Sequence, residues 1–218
     1  MASRSSKSTE NSSRHKSSFE LLIATRNKKK LKEIKELLSD LPIKITSLFD
    51  CPDCPEIIED GRTFYDNAVK KAVTIAQHTG KLVMGEDSGL EVKALSNRPG
   101  VYSARFSGTG ATDEKNNAKL LAELKDVPRS KRQARYHCFV ALADQNGVID
   151  VVDGKCSGII AKDLRGTNGF GYDPLFLIPR YNKTFGELDS SIKAKISHRA
   201  RALKKFRKLI EKYFVTLP

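Results

Sequence analysis

The chain reads Leu82-Val83-Met84-Gly85-Glu86-Asp87-Ser88-Gly89-Leu90 in its first half. The apolar residues at the start of this stretch predict a buried strand. Two carboxylates at the end of the strand, followed by a serine and a glycine, predict a turn at a ligand-binding edge, because ligands collect at strand ends in α/β sheets. A carboxylate placed there can hold Mg²⁺ or take a proton from water. On their own, however, these residues favour an ordinary polar turn, so the interpretation depends on the rest of the chain.

Helical and strand patterns alternate on both sides of this stretch. The apolar spacing predicts strands at 19–25, 43–48, 81–86, 90–95, 133–143 and 148–156, and helices at 28–40, 63–79, 112–125 and from 197 onward. Asn146-Gly147 indicates a tight hairpin between the last two strands. Because hairpin strands follow the alternating first half, we predict a mixed α/β fold with a long sheet rather than a Rossmann strand order.

The first 18 residues differ in composition from the rest. They are rich in serine and basic side chains and contain no Leu, Ile or Phe, which predicts a disordered, solvated tail rather than a transit peptide. Residues 19–218 are long enough for one domain with two lobes. The sequence has no run of 18 or more apolar residues and no apolar core after its basic start. We therefore expect neither a membrane span nor a secretory signal.

The net charge of +13 is the strongest anomaly of composition. Basic residues are densest between Lys193 and Lys212, where Glu211 is the only acid. Such a balance predicts a polyanionic partner, either a nucleic acid or a phosphorylated small molecule. Charge alone does not separate these two classes.

The cysteines give a weaker signal. Cys51-Pro-Asp-Cys54 has a C-x-x-C spacing, but Cys138 and Cys156 form no second pair of that kind. A four-ligand zinc site would need all four cysteines to converge in the fold. The spacing therefore favours reduced thiols in a cytosolic protein.

Two segments before the acidic stretch suit phosphate and metal chemistry. Residues 25–30, Thr-Arg-Asn-Lys-Lys-Lys, lie where a strand gives way to a helix, and their lysines oppose the helix dipole unless an anion binds. Phosphate binding and an ordinary helix start both remain open. Glu59 and Asp60 are either Mg²⁺ ligands or first-turn acids that the dipole of the next helix favours. On that helix we expect the polar residues to be mostly solvated, namely Asn67, Lys70 and Lys71.

Two later segments suit the binding of a base. The glycine-rich loop 166–174 lacks the spacing of a dinucleotide fingerprint. Its glycines would let it approach a ligand while Phe170 or Tyr172 stacks on a base, although a plain turn has the same composition. At the start of the last helix, Arg199 offers a fork of donors and His198 a switchable donor or acceptor, which suits keto oxygens or phosphate. A single histidine is more often structural.

In combination, these segments resemble the inosine triphosphate pyrophosphatase family, whose members act on non-standard purine nucleoside triphosphates. The matching elements run in the family's order and cover about residues 20 to 205. They are Ala24-Thr25-x-Asn27-x-x-Lys30, Glu59-x-Gly61-x-Thr63-Phe64-x-x-Asn67-Ala68-x-x-Lys71-Ala72, Glu86-Asp87-Ser88-Gly89-Leu90, Pro99-Gly100-Val101-Tyr102-Ser103-Ala104-Arg105, Gly169-Phe170-Gly171-Tyr172-Asp173-Pro174, and Lys193 with Ser197-His198-Arg199. Each element is a weak signal alone, but six in order are specific.

The resemblance implies a fold, a reaction and an assembly. The fold would be α/β, with two lobes around a long central mixed β-sheet, flanking helices and the active cleft between the lobes. The enzyme would be a cytoplasmic homodimer that requires Mg²⁺. It would cleave the α–β phosphoanhydride of ITP, dITP or XTP and release the monophosphate and pyrophosphate.

The resemblance also implies roles for individual residues. Asp87 would be the catalytic base, and Glu59 and Asp87 would hold Mg²⁺, with Glu86 as an additional ligand. The substrate-binding residues would be Thr25, Asn27 and Lys30 at the phosphates with Ser88 in support, Phe170, Gly171, Tyr172 and Asp173 around the base, Lys193, and His198 with Arg199 at the 6-keto edge.

The chain departs from the family pattern at Lys29, Gly85 and Ala200, where the family has glycine, a small apolar residue and glycine, respectively. None of these departures removes a functional group, so they bear on rates rather than on chemistry. Two alternatives remain. One is a nucleic-acid-binding protein that uses the basic C-terminal helix, although aromatic residues are not interleaved there in the usual pattern. The other is a nucleotidase for pyrimidine or modified nucleotides.

Overall fold

The computed structural model describes residues 19–215, and the tail predicted at residues 1–18 lies outside this range. The strands are β1 Phe19–Ile23, β2 Ile43–Ser47, β3 Leu82–Val92, β4 Gln133–Asp144, β5 Gly147–Ile160, β6 Phe176–Ile178 and β7 Lys183–Thr184. The α-helices are α1 Lys28–Leu37, α2 Phe64–Thr79, α3 Asp113–Glu123, α4 Ser190–Ile196 and α5 His198–Val215. Short 3₁₀ helices connect them, among them Gly100–Arg105.

The seven strands form one sheet in the order β2-β1-β3-β4-β5-β6-β7. β1 pairs in parallel with β2 and β3, and every later pair is antiparallel. The long strands β3, β4 and β5 form the centre, and β4 turns into β5 between Asp144 and Gly147. The predicted α/β class with a long central mixed sheet is confirmed.

Helices cover the two faces of the sheet and divide the hydrophobic core. On one face, α1 and α5 bury Ile34 and Phe206 against β1, β3 and β4. On the other face, α2 packs Ala72 against the same part of the sheet. A third cluster, which includes Leu120 and Phe176, lies at the far end of the long strands. The core therefore consists of two clusters on opposite faces of the sheet and a third, packed against α3 and α4, at the far end of the long strands.

The capping residues explain where two functional helices begin. Thr63 accepts a hydrogen bond from the Asp66 N–H, and the Asp66 carboxylate accepts one from the Thr63 N–H, so α2 begins with a capping box. It ends at Gly80, whose φ of 66° is left-handed. The Ser197 hydroxyl accepts a hydrogen bond from the Ala200 N–H, 3.1 Å away, and so caps the start of α5.

The turn predicted after Met84 is wrong. β3 runs without interruption from Leu82 to Val92, so the two carboxylates lie inside a strand. Gly89 serves a close approach, because a Cβ at this position would lie 2.8 Å from the Gly100 carbonyl oxygen and from Cε1 of Phe64. A glycine that makes room for a neighbouring segment gives the same sequence signal as a glycine that permits a turn.

Other elements also differ from the prediction. Cys51 and Cys54 form a disulfide, so the prediction of reduced thiols is wrong for this pair. Cys138 and Cys156 are free and buried. Strands β6 and β7 and helix α4 were not predicted, because their apolar patterns extend over too few residues to show a period. In the range 19–215, no helix is both long enough and apolar enough to cross a membrane.

Candidate active site

A cavity of about 380 Å³ opens beside the middle of β3. The β1–α1 junction lines one part of it, and the loop 166–174 lines another. All the predicted site residues except Glu86 contribute to its wall. These are Thr25, Asn27, Lys30, Glu59, Asp87, Ser88, Phe170, Gly171, Tyr172, Asp173, Lys193, His198 and Arg199.

Glu86 and Asp87 point to opposite faces of β3, because successive side chains alternate along a strand. Asp87 faces the cavity and contacts α2. Glu86 is buried on the other face, among side chains of α1 and α5. Glu86 is not part of the cavity wall, and its carboxylate pairs with Lys30 and Arg199. Its role as an additional metal ligand stays a prediction.

Asp87 is held by two residues of α2. The Asn67 amide donates to Oδ2 of Asp87 at 3.1 Å, and the Lys71 ammonium donates to Oδ1 at 3.0 Å. The same ammonium lies 2.7 Å from Oε1 of Glu59. Oδ1 of Asn67 accepts the Gly61 N–H at 2.8 Å and so fixes the segment that carries Glu59. One lysine thus lies between the two carboxylates that the resemblance implies as metal ligands.

Burial and the neighbouring charges shift the pKa values of both Asp87 and Lys71. Burial raises the pKa of Asp87, and Lys71 only partly opposes the rise because the Glu59 charge acts in the same direction as burial. Burial alone would lower the pKa of Lys71, but Asp87 and Glu59 outweigh it and raise that pKa. Lys71 therefore stays protonated, while Asp87 binds a proton more readily than an ordinary aspartate does.

The donor set fits Mg²⁺ with substrate oxygens as further ligands. Groups of three or more His, Cys, Asp or Glu side chains that could hold a metal are absent from residues 19–215. Glu59 and Asp87 nevertheless converge on one cation, the Lys71 ammonium, at the cavity wall. Mg²⁺ is commonly held by one or two carboxylates together with water and phosphate oxygens, so two carboxylates suffice.

Glu86 organises the opposite face of β3. Its carboxylate lies 3.1 Å from Nη2 of Arg199 and 3.1 Å from Nζ of Lys30. It also accepts a hydrogen bond from the Cys138 thiol at 3.3 Å. Burial would raise the pKa of Glu86, but Arg199 and Lys30 overcome burial and hold it well below the usual value. Glu86 is therefore a permanent anion that fixes two cations of the cavity wall from behind.

The β1–α1 junction forms the end of the cavity that suits phosphate. Oδ1 of Asn27 caps α1 by accepting the N–H groups of Lys29 and Lys30 at 3.0 and 3.1 Å. The Thr25 hydroxyl in turn accepts the Asn27 N–H at 3.1 Å. The first turn of α1 contains no acid, so no carboxylate of that turn competes with an anion for the positive end of the helix. Lys29, one of the departures, pairs across the cleft with Asp113.

The loop 166–174 and helix α4 line another part of the cavity. The Lys193 ammonium lies 2.7 Å from Oδ2 of Asp173, 2.8 Å from Oε1 of Glu33, and 4.9 Å from the centre of the Phe170 ring. Arg199 also pairs with Glu33. Burial raises the pKa of Asp173 even though Lys193 opposes this rise. An aromatic ring and two oriented cations therefore meet at one place, which suits a flat heterocycle.

His198 and Arg199 are positioned by different means. Arg199 donates to Oε1 of Glu86 and to the Ser88 hydroxyl, both at 3.1 Å. Nδ1 of His198 is buried and has no hydrogen-bond partner among the described residues. The imidazole instead stacks on the Tyr136 ring, with centroids 4.5 Å apart and planes 11° apart. Burial and the charge of Arg199 lower the pKa of His198 well below its usual value, so the imidazole is neutral.

Sequence reasoning missed part of this site. Asn67 and Lys71 were predicted to be solvated, but both are buried and contact Asp87. A usable signal existed, since these residues are four apart and adjoin Ala68 and Ala72 on the buried face of α2. Lys70 is exposed, as predicted. The other missed residues carried no local signal, because their contacts come from distant segments: Glu33, Asp113 and Tyr136.

The basic last helix directs part of its charge inward. Arg199 is buried in the cavity wall. Lys205 lies 2.7 Å from Oδ1 of Asp153, and Arg207 lies 2.7 Å from Oδ1 of Asp40. These ion pairs neutralise part of the positive charge that suggested a nucleic-acid partner.

Comparisons with known proteins agree with this arrangement. The model of the Ham1 family matches residues 21–209. A dITP/XTP pyrophosphatase of Desulforamulus reducens is 48% identical over 197 residues, which are 90% of this chain and 98% of that protein. The enzyme of the same description from Geobacter sulfurreducens is 50% identical over 183 residues, 84% of this chain and 92% of its own. The solved HAM1 protein of Coxiella burnetii superposes with a TM-score of 0.82 at 40% identity and covers 89% of this chain and 99% of its own.

Proposed function

Because the chain belongs to the Ham1 family, we propose that it hydrolyses non-standard purine nucleoside triphosphates to the monophosphate and pyrophosphate. The observation that carries the proposal is that three kinds of group line one cavity. They are the capped start of α1 with Lys30, the Asp87 cluster, and the oriented donors beside Phe170. A nucleoside triphosphate needs partners of these three kinds for its phosphates, its reacting α-phosphorus and its base.

The phosphate-binding part of the cavity combines a cationic side chain with a helix start whose first turn contains no acid. Asn27 and Thr25 hold the junction so that the start of α1 faces an incoming anion, and Lys30 lines the same wall. Lys30 is anchored by Glu86, so its ammonium is already in place before the substrate binds. Such preorganisation lets a developing negative charge be stabilised without reorganisation.

Asp87 is the residue that we assign to proton transfer. Its raised pKa makes it a better proton acceptor than an ordinary aspartate, and Asn67 and Lys71 fix both of its oxygens. In-line attack on the α-phosphorus needs a positioned water, a base and compensating charge. When bound by Glu59 and Asp87, Mg²⁺ would supply additional positive charge at the phosphate oxygens.

The base end supports selection of a 6-keto purine. Arg199 carries only donors, and Lys193 is a donor that Asp173 orients. A keto oxygen accepts from such groups, whereas the 6-amino group of adenine brings donors against donors. Sites that leave polar groups unpaired against the wrong substrate can discriminate by up to ~10⁴-fold.

The proposal is tested with a panel of triphosphates that contains ITP, dITP, XTP, ATP, GTP and the pyrimidine nucleotides. We expect Mg²⁺-dependent release of pyrophosphate from the first three, with slow turnover of ATP. Sequential release of orthophosphate would indicate a general phosphatase instead. Preference for a pyrimidine nucleotide would reject the assignment of the base end.

We also propose that the protein works as a homodimer in the cytoplasm, as the family resemblance implies. Sedimentation of the purified chain gives its mass in solution. A monomer at the concentrations used for the assay would reject the dimer.

A further inference from the structure

Tyr136 lies beneath the base-reading end of the cavity. It belongs to β4, where it is opposite Leu90 on β3 and Cys156 on β5. Its side chain is buried, yet it contributes to the cavity wall beside His198. The nearly parallel stack of the Tyr136 and His198 rings brings a strand of the sheet into contact with the start of α5.

The Tyr136 ring is supported from behind by other aromatic residues. The Phe176 ring lies 4.6 Å from it, and Phe185 stacks on Phe176 at 5.3 Å with an interplanar angle of 22°. Both phenylalanines are fully buried. In a close-packed interior the ring cannot withdraw from His198 without displacing these two side chains.

The backbone of His198 is fixed from another direction. Gly154 on β5 lies directly below the start of α5, and a Cβ there would overlap the His198 carbonyl oxygen and the Ala202 nitrogen. The helix start therefore rests on the bare backbone of β5. With the backbone fixed, the side-chain torsions of His198 decide which way the imidazole faces.

Hydrogen bonds set the direction of Arg199 but do not hold Nδ1 of His198. Arg199 has acceptors in Glu86 and Ser88, whereas Nδ1 of His198 has no hydrogen-bond partner among the described residues. The stack on Tyr136 is then the contact that defines the plane of the imidazole.

We propose that Tyr136 is a positioning residue that holds the His198 ring in the plane needed to read the 6-keto edge of a purine, and so contributes to substrate specificity. The inference rests on the proposed function of the cavity and adds to it a residue that acts through His198. The Tyr136 ring makes the stack on His198, so Tyr136→Phe keeps this contact and Tyr136→Leu removes it.

The experiment compares kcat and KM for ITP and ATP in the wild type, Tyr136→Phe and Tyr136→Leu. We expect Tyr136→Leu to lower the ITP-to-ATP ratio of kcat/KM by about five- to tenfold, mainly by raising KM for ITP. The loss of an aromatic pair weakens an interaction by about that factor. Tyr136→Phe should keep the wild-type ratio. An unchanged ratio in Tyr136→Leu, or an equal loss with both nucleotides, would overturn the proposal.

A double-mutant cycle tests whether Tyr136 acts through His198. In a His198→Ala background, Tyr136→Leu should cause no further fall in the ratio, and an additive fall would reject the coupling. If Tyr136→Leu unfolds, Tyr136→Met takes its place with the same expectations. Equilibrium binding of IMP and AMP to each variant measures discrimination without turnover. A failure of the wild type to release pyrophosphate is thereby distinguished from a failure of the role of Tyr136.

Discussion

Glu86 and Asp87 are adjacent carboxylates with opposite environments. Glu86 is surrounded by Arg199, Lys30 and the Cys138 thiol on the closed face of β3. Asp87 faces the cavity and shares a single ammonium, that of Lys71, with Glu59.

The result is a lowered pKa for Glu86 and a raised pKa for Asp87, although both are buried. Lys30 and Lys71 lower the pKa of both carboxylates, so the two are separated by Arg199, which acts on Glu86, and by the Glu59 charge, which acts on Asp87. The pleat of one strand thus gives one carboxylate a structural role and the other a chemical role.

The largest effect should come from Asp87→Asn. The amide keeps the shape of the side chain but cannot accept a proton from water, so pyrophosphate release should fall by about 10²–10⁴-fold. The melting temperature should stay close to that of the wild type, because the buried charge has been removed. Asp60→Asn is the matched control, since Asp60 is exposed and its side chain pairs with Lys70 on the surface. Near-normal turnover in Asp87→Asn would reject this residue as the base.

Glu86→Gln, unlike Asp87→Asn, should cause a large loss of folding stability. Removing the anion leaves Arg199 and Lys30 without their buried partner, and breaking a buried ion pair costs about 3–5 kcal/mol. Urea unfolding measures this loss, and Glu36→Gln on the exposed side of α1 is the control. A stability equal to that of the wild type would mean that Glu86 is not the anchor described here.

Lys71→Met should damage the reaction with a characteristic change in its pH dependence. Without the ammonium, Glu59 and Asp87 repel each other, and a misplaced reacting group can lower kcat/KM on the order of 10²-fold. The pKa of Asp87 should rise further, so the acid limb of the profile should move to higher pH. Lys70→Met is the adjacent control, because Lys70 is exposed. An acid limb at the same pH as in the wild type would mean that Lys71 does not control the pKa of Asp87.

The smallest effect concerns the pH dependence of stability. Because the pKa of Asp87 is raised on folding, the wild type loses stability as pH rises through that pKa, and Asp87→Asn should become more stable relative to it over the same range. The pKa of Glu86 is lowered, so its contribution disappears as pH falls and the deficit of Glu86→Gln should shrink toward acid. Urea unfolding from about pH 2 to about pH 7 spans both windows, because the window of Asp87 lies above its ordinary value of about 3.9 and that of Glu86 lies below its ordinary value of about 4.3. Parallel curves for the two variants would contradict the contrast.

Local patterns predict much of the fold and only part of the site. Helix α2 is predicted closely, because Thr63, Asp66 and Gly80 mark its ends and apolar spacing marks its buried face. The family's motifs identify most of the residues of the cavity wall. These features depend on residues that are close together along the chain, so local sequence patterns reveal them.

The missed features depend on tertiary contacts. A glycine at position 89 predicts a turn, whereas in the structure it makes room for Gly100 and Phe64. Which face of β3 carries Asp87 follows from its pairing and from the helices that cover the sheet. The contact between Glu33 and Lys193 joins residues 160 positions apart, and no local spacing indicates it.

The contrast between Glu86 and Asp87 is tested most directly by carbon-13 NMR of the side-chain carboxyls in the metal-free protein. Asp87→Asn and Glu86→Gln assign the two resonances. The Asp87 carboxyl should titrate above the ordinary aspartate value of about 3.9, while Glu86 should stay ionised well below the ordinary glutamate value of about 4.3. An Asp87 pKa below its ordinary value, or a Glu86 pKa above its own, would contradict the account.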